Sequence, residues 1–309
     1  MRSAQRNREF LKASCEELLN FGHRFPSTNG GSYYLGDDGT PWKDRNRETW
    51  ITCRMAHVYS LGLMLGHEGS GELADAALKG LKGELHDEKN GGWYAGVTPE
   101  GDIVPNKQCY AHAFVILAAS SALTAGRPGA KELLEEALAV YDRYFWNEEE
   151  GLACDTWNTE FTVLDDYRGL NANMHTVEAF LAAGDVTGDK KYHIRAGRII
   201  DHVIQWAEDN SWRIPEHFTK EWVADLDCNR DRPDDPFKPY GATPGHGIEW
   251  ARLITQWTLA NCGEEKEKTG KTSSGSRKPL HNSNKRRLER RWCTGNCIHD
   301  RLEWQTGGT

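Results

Sequence analysis

The chain has 309 residues, 38% of them apolar and 27% charged, and a net charge of −8, which is enough for one large core or two small ones. No apolar run nears the roughly eighteen residues of a membrane span, and the start MRSAQRNREF lacks a signal-peptide hydrophobic region. A cytoplasmic protein with no membrane partner is therefore expected. Residues 263–309 hold 11 Lys and Arg against 6 Asp and Glu, which leaves −13 on residues 1–262 and argues against nucleic acid as a partner.

Two kinds of helix alternate from residue 9 to about 260. The first is amphipathic, with Leu11, Cys15 and Leu18 on one face. A turn-rich connection at 29–42 leads to ITCRMAHVYSLGLML (51–65), which is apolar nearly all round and so is expected to be buried on both sides. A second connection, 90–104, precedes another such helix at 110–125. Then come an amphipathic helix on Leu134, Ala137, Leu138, Tyr141 and Phe145, a connection at 149–164, and an apolar helix at 174–183. The last amphipathic face is Tyr192, Ala196, Ile199, Ile200 and Val203, followed by a connection at 209–224 and an apolar helix at 248–260.

Self-similarity at roughly 55 to 75 residues marks stacked units that bury their inner faces only against neighbours. An inner ring of buried helices inside an outer amphipathic ring is an all-α toroid of the (α/α)6 type. Here about four of six helical pairs are present, joined by short β-hairpin-like connections. Residues 1–262 form this barrel domain, and residues 263–309 read as a basic, disordered tail that an altered reading frame would explain. Eight cysteines without an export signal point to reduced thiols, most of them in the core.

In such a ring the inner helices open at one mouth, and polar residues gather at their first turns: Trp50 and Arg54; Gln108, Tyr110 and His112; Asn171, Asn173, His175 and Glu178; His246 and Glu249. Helix N-termini there suit oxygen-rich ligands. His246 and Glu249 share a helix face, so Glu249 is expected to fix the tautomer of a candidate acid/base, His246. Asn171 and His175 suit hydroxyl recognition, because amides and imidazoles both donate and accept. A guanidinium inside an apolar helix needs partners, so Arg54 is expected either to touch substrate or to form an internal salt bridge. His57 and His112 are read as lying behind the pocket or in the core. Asp225, Asp227, Asn229 and Asp231 mimic a calcium loop but carry Arg230 and Pro236 where a glycine and a glutamate are required. Cys293, Cys297 and His299 lack a second ligand pair for zinc.

The segments TWITCRMAHVYS, NGGWYAGV, NKQCYAHAF, DDYRGLNANMHTVEAF, RIPEHF and PYGATPGHGIEWARL resemble the N-acylglucosamine 2-epimerase superfamily, in particular its bacterial mannose and sulfoquinovose isomerase branch. The resemblance spans residues 8–262. It implies an (α/α)6 barrel that interconverts aldoses and ketoses, or 2-epimers, on a monosaccharide substrate without a metal or other cofactor. Arg54, Tyr110, Asn171, His175 and Glu249 would bind the sugar, and His246 would move the proton through an enediol(ate). It also implies two further helical pairs and a second pocket histidine, which neither His281 nor His299 matches. Four readings stay open: aldose-ketose isomerase; N-acylglucosamine 2-epimerase; an inactive sugar-binding remnant whose exposed apolar faces would favour aggregation or a homo-oligomer; and a glycoside hydrolase using two of Asp165, Asp166, Glu178 and Glu249.

Overall fold

The structure is a computed structural model that describes residues 2–268, with side chains for residues 5–261. The chain divides into two compact units, Met1–Thr258 and Leu259–Thr309. The helices are α1 (Arg2–Gly22), α2 (Thr49–Met64), α3 (Ser70–Leu81), α4 (Cys109–Thr124), α5 (Ala130–Tyr144), α6 (Leu170–Thr187), α7 (Lys190–Asp209) and α8 (Pro244–Lys268). Between them run eleven short strands: β1 (Tyr34–Leu35), β2 (Pro41–Trp42), β3 (Arg47–Glu48), β4 (Gly96–Val97), β5 (Ile103–Val104), β6 (Asn106–Gln108), β7 (Trp146–Asn147), β8 (Leu152–Ala153), β9 (Thr156–Asn158), β10 (Arg168–Gly169) and β11 (His217–Phe218).

The helices form an arc of four pairs, α2, α4, α6 and α8 inside and α1, α3, α5 and α7 outside. α4 packs against α2, α5 and α6, so residues Ala111 to Ala119 are buried all round the helix. The predicted outer faces of α5 and α7 are buried as expected, including Leu134, Tyr141, Ile199 and Ile200. α8 docks through Trp257, whose Nε1 donates to the His193 carbonyl at 2.8 Å and whose ring fills the space beside Gly197, where a Cβ would come within 2.7 Å.

Three expectations are corrected. α1 buries Leu19, while Leu11 and Leu18 are exposed, because the face that packs lies one position round from the stripe read in the sequence. α2 is not buried on both sides: Val58, Leu61 and Met64 are exposed on its far face, as is Ile248 of α8. α8 also begins earlier than predicted and continues through Gly263 to Lys268. Cys293, Cys297, His281 and His299 lie outside the described residues.

The connections repeat a single device. The strand leading into each of the inner helices α2, α4 and α6 pairs antiparallel with a strand of the following unit: β3 with β4, β6 with β9, β10 with β11. The first N–H of α2, α4 and α6, otherwise an orphan donor, then reaches a carbonyl just before that partner strand. These bonds are Thr49 to Ala95 at 3.0 Å, Cys109 to Asp155 at 2.8 Å and Leu170 to Glu216 at 3.0 Å. The donors are 60 and 61 residues apart and so are the acceptors, which fixes the true repeat near 60.

Behind β6 lies a buried ion pair. Lys107 Nζ donates to Asp87 Oδ2 at 2.8 Å and to the Gly91 carbonyl at 3.0 Å, and both side chains are fully buried. Asp87 also accepts from the backbone N–H groups of Lys89 and Asn90 and from Asn90 Nδ2. Although burial pushes it up, the bonds from Lys107 and Asn90 hold the Asp87 carboxyl well below the usual carboxylate range. Strand alternation turns Asn106 and Gln108 to the opposite side, toward the mouth. Replacing Lys107 by Met strands a buried carboxylate and should cost about 3–5 kcal/mol in denaturant melts, whereas the Asp87→Asn, Lys107→Met double variant should recover much of that loss.

Candidate active site

The inner-helix N-termini open on a cavity of about 520 Å³, lined among others by Glu48, Trp50, Asn106, Gln108, Tyr110, Asp155, Tyr167, Asn171 and Lys238. Trp50 is steered by the pre-helical Glu48, which accepts from its Nε1 and, at 2.8 Å, from the Tyr34 hydroxyl. Phe237, from the segment leading to α8, meets the Trp50 ring edge-on at 6.0 Å.

Beside the cavity stands a connected polar group. Arg54 Nη2 donates to the Tyr110 hydroxyl at 3.2 Å, and its guanidinium lies 5.1 Å from the Trp50 ring centre and 4.8 Å from that of Phe114. Tyr110 meets His175 edge-on at 5.1 Å. His175 Nδ1 lies 3.1 Å from Glu178 Oε2, and Arg252 of α8 donates to Glu178 Oε1 at 2.6 Å. Burial raises the Glu178 carboxyl, but the bond and charge of His175, then those of Arg252, outweigh it and bring the group down to about 2. Arg54 is exposed and forms no salt bridge among the described residues, so the internal-pair expectation is corrected: stacking and Tyr110 hold it, and its remaining donors are open.

His246 begins α8 and is gripped from another direction. Its Nδ1 lies 2.9 Å from Glu216 Oε2, and the other Glu216 oxygen accepts from the Thr243 N–H at 3.3 Å. Glu216 is 6% exposed. A carboxylate accepts only, so Nδ1 carries the proton and Nε2 is left as the free lone pair. The Glu216 hydrogen bond raises the His246 pKa above the usual imidazole value; burial opposes this, and the charges of Glu216 and then Glu249 add to it. Glu249 is exposed and acts on His246 and Tyr110 through charge alone. The tautomer-fixing role expected of Glu249 thus belongs to Glu216, because a contact 30 residues away in sequence outcompetes the helical neighbour.

The structure therefore gathers Arg54, Tyr110, His175 and Glu178 in one contact chain, with Asn171 on the cavity wall and His246 within reach of the charge of Glu249. His112 is in the core: its Nε2 accepts from the Trp93 N–H, its Nδ1 donates to the Gln108 carbonyl, and burial pushes it down to about 3. His57 sits behind the group, 2.6 Å from Ser121 Oγ. Asn173 clamps the Ala153 backbone and does not face ligand. Glu216 was missed although RIPEHF drew notice; its phase, directly before a connection strand like Ala95 and Asp155, is the signal that could have found it.

The family model described as N-acylglucosamine 2-epimerase (GlcNAc 2-epimerase) matches residues 30–273. The chain belongs to this family. Within the N-acylglucosamine 2-epimerase family it is 43% identical over 250 residues to a D-mannose isomerase of Thermobifida fusca, covering 80% of this chain and 61% of that protein. It is 40% identical over 247 residues to a D-mannose isomerase of Pseudomonas cannabina pv. alisalensis, covering 80% and 59%. A solved D-mannose isomerase superposes with a TM-score of 0.76 at 29% identity, over 82% of this chain and 66% of that one. A cellobiose 2-epimerase from Spirochaeta thermophila DSM 6192 shares the fold, with a TM-score of 0.73 at 19% identity over 84% and 66%. The chain spans about three-fifths of the length of the curated relatives it matches. No helix among the described residues is long and apolar enough to cross a membrane.

Two pH effects follow for this family member. A raised His246 value means that the Glu216 pair stabilises the fold fully below pH 6.5 and less as pH rises through the folded-state value; in Glu216→Gln, His246 should titrate lower by NMR. Glu178 is lowered, so its contribution is present above pH 4.5 and is lost as pH falls toward 2. Denaturant melts between about pH 5 and pH 3 should show a smaller loss of stability for Glu178→Gln than for the unaltered protein.

Proposed function

We propose that this chain carries the proton-transfer site of an aldose-ketose sugar isomerase acting on D-mannose, with His246 as the base. The observation that carries the reading is the Nδ1 contact of His246 with Glu216, which leaves Nε2 unprotonated, while Glu249 acts by charge both on His246 and on Tyr110 of the Arg54, Tyr110 and His175 group. Two D-mannose isomerases at 43% and 40% identity support the substrate.

Neutral His246 Nε2 removes the proton from C2 of the open-chain sugar, and the C–H electron pair becomes the C1–C2 double bond of an enediolate as the carbonyl electrons move to O1. The open donors of Arg54 stabilise the charge on that oxygen. Delivery of the C2 proton to C1, with the O2 proton passing to the O1 oxyanion as C2=O forms, gives the ketose; return to C2 from the opposite face would give the epimer. Asn171 and Tyr110 on the cavity wall, with His175 beside them, hold hydroxyls. The base must be neutral, so the rate should rise as pH increases through the His246 value.

The test is proton exchange in heavy water. The chain should wash deuterium into C2 of D-mannose and C1 of D-fructose, and His246→Gln should lower the rate by about 10²–10⁴-fold. Exchange confined to N-acetylmannosamine would replace the isomerase by an N-acylglucosamine 2-epimerase, and no exchange with any of these sugars would overturn the reading.

A further inference from the structure

The residue before each partner strand, Ala95, Asp155 or Glu216, gives its carbonyl to the first N–H of an inner helix. That bond fixes the backbone, and the three positions are therefore equivalent in the repeat. At Glu216 the carboxylate is occupied by His246. At Ala95 only a methyl group faces the cavity. Asp155 lies between them, also on the cavity wall, and its carboxylate is only partly used. Oδ1 accepts from Thr156 Oγ1 at 3.0 Å, while Oδ2 has no hydrogen-bond partner among the described residues.

Oδ2 lies over Gly169, where a Cβ would come within 3.0 Å of it. Gly169 leads directly into α6, two residues before Asn171. A second acceptor, Asn106 Oδ1, lines the same cavity, is buried, and has no partner among the described residues. A buried acceptor left without a donor is costly, so a wall that pairs Asn106 Oδ1 with the open, half-buried Asp155 Oδ2 is matched to a ligand that brings hydroxyls. Burial raises the Asp155 carboxyl, with Lys238 and Thr156 pulling the other way, as for a carboxylate shielded from bulk water. The cavity wall that carries Asp155 and Asn106 includes Tyr110 and Asn171 but neither Arg54 nor His246, so these two acceptors line a part of the cavity separate from the groups assigned to proton transfer.

We infer that Asp155 Oδ2, together with Asn106 Oδ1, accepts hydrogen bonds from hydroxyls of the bound sugar on carbons beyond C1 and C2. The inference rests on the sugar-isomerase reading and adds a carboxylate that sets which hydroxyl configuration is held.

Mannose affinity measured by tryptophan fluorescence, with Trp50 as reporter, tests it in the full chain. Asp155→Asn, which keeps the shape and removes the charge, should weaken D-mannose about 10- to 100-fold with an unchanged melting temperature. One of the 3-, 4- and 6-deoxymannoses should bind the unaltered chain that much more weakly and lose little more on substitution. In the unaltered chain the Asp155 carboxyl carbon resonance should also move on saturation with mannose, a readout that stands even where the variant does not fold. An unmoved resonance, equal mannose affinity in Asp155→Asn, or the same loss for every deoxy sugar would overturn the inference while the isomerase reading stands. Failure of the unaltered chain to bind any of these sugars would overturn both.

Discussion

The site hangs on one repeated hydrogen bond. The first N–H of an inner helix has no partner within its own helix, and in this ring it is satisfied by a carbonyl from the next unit, at Ala95, Asp155 and Glu216. That requirement forces each connection across the mouth and brings its strand against the lead-in strand of the preceding unit. It also sets the direction of the acceptor residue's own side chain. A bond that satisfies the helix start thereby assigns an equivalent side-chain position in three units, filled by a carboxylate in two of them, Asp155 and Glu216.

The chemistry follows from which side chain fills that position. Glu216 grips His246 and decides which imidazole nitrogen is free, while Asp155 keeps an oxygen open to the cavity. Arg54 is held by ring faces and a tyrosine hydroxyl, so its charge is not cancelled by a carboxylate before a developing oxyanion needs it. The acids near the cluster are engaged differently: Glu178 is tied to His175 and Arg252, and Glu249 is exposed and works at longer range. Such an arrangement separates the base from the electrophile by fixing one with a carboxylate and the other without.

Much of this was legible in the sequence. The contrast between all-round apolar segments and amphipathic ones identified inner and outer helices, and the outer faces of α5 and α7 are buried as their periodicity required. Polar residues in the first turns of α2, α4 and α6 marked the mouth because ring geometry makes those turns converge. Periodicity could not choose between adjacent stripes of α1, where Leu19 packs in place of Leu18, since both satisfy a helical repeat. It also could not see Glu216. The helical neighbour Glu249 looked like the partner of His246 by spacing alone, and only the folded connection shows a carboxylate 2.9 Å away from a different unit. The same holds for Asp155, whose meaning comes from its equivalence to Glu216.

The most direct test of this account is the tautomer of His246, read from its ring ¹⁵N chemical shifts with selective labelling at a pH where the imidazole is neutral. The account predicts a proton on Nδ1 and a bare Nε2, with that preference lost in Glu216→Leu. A neutral His246 protonated on Nε2 in the unaltered chain would contradict it.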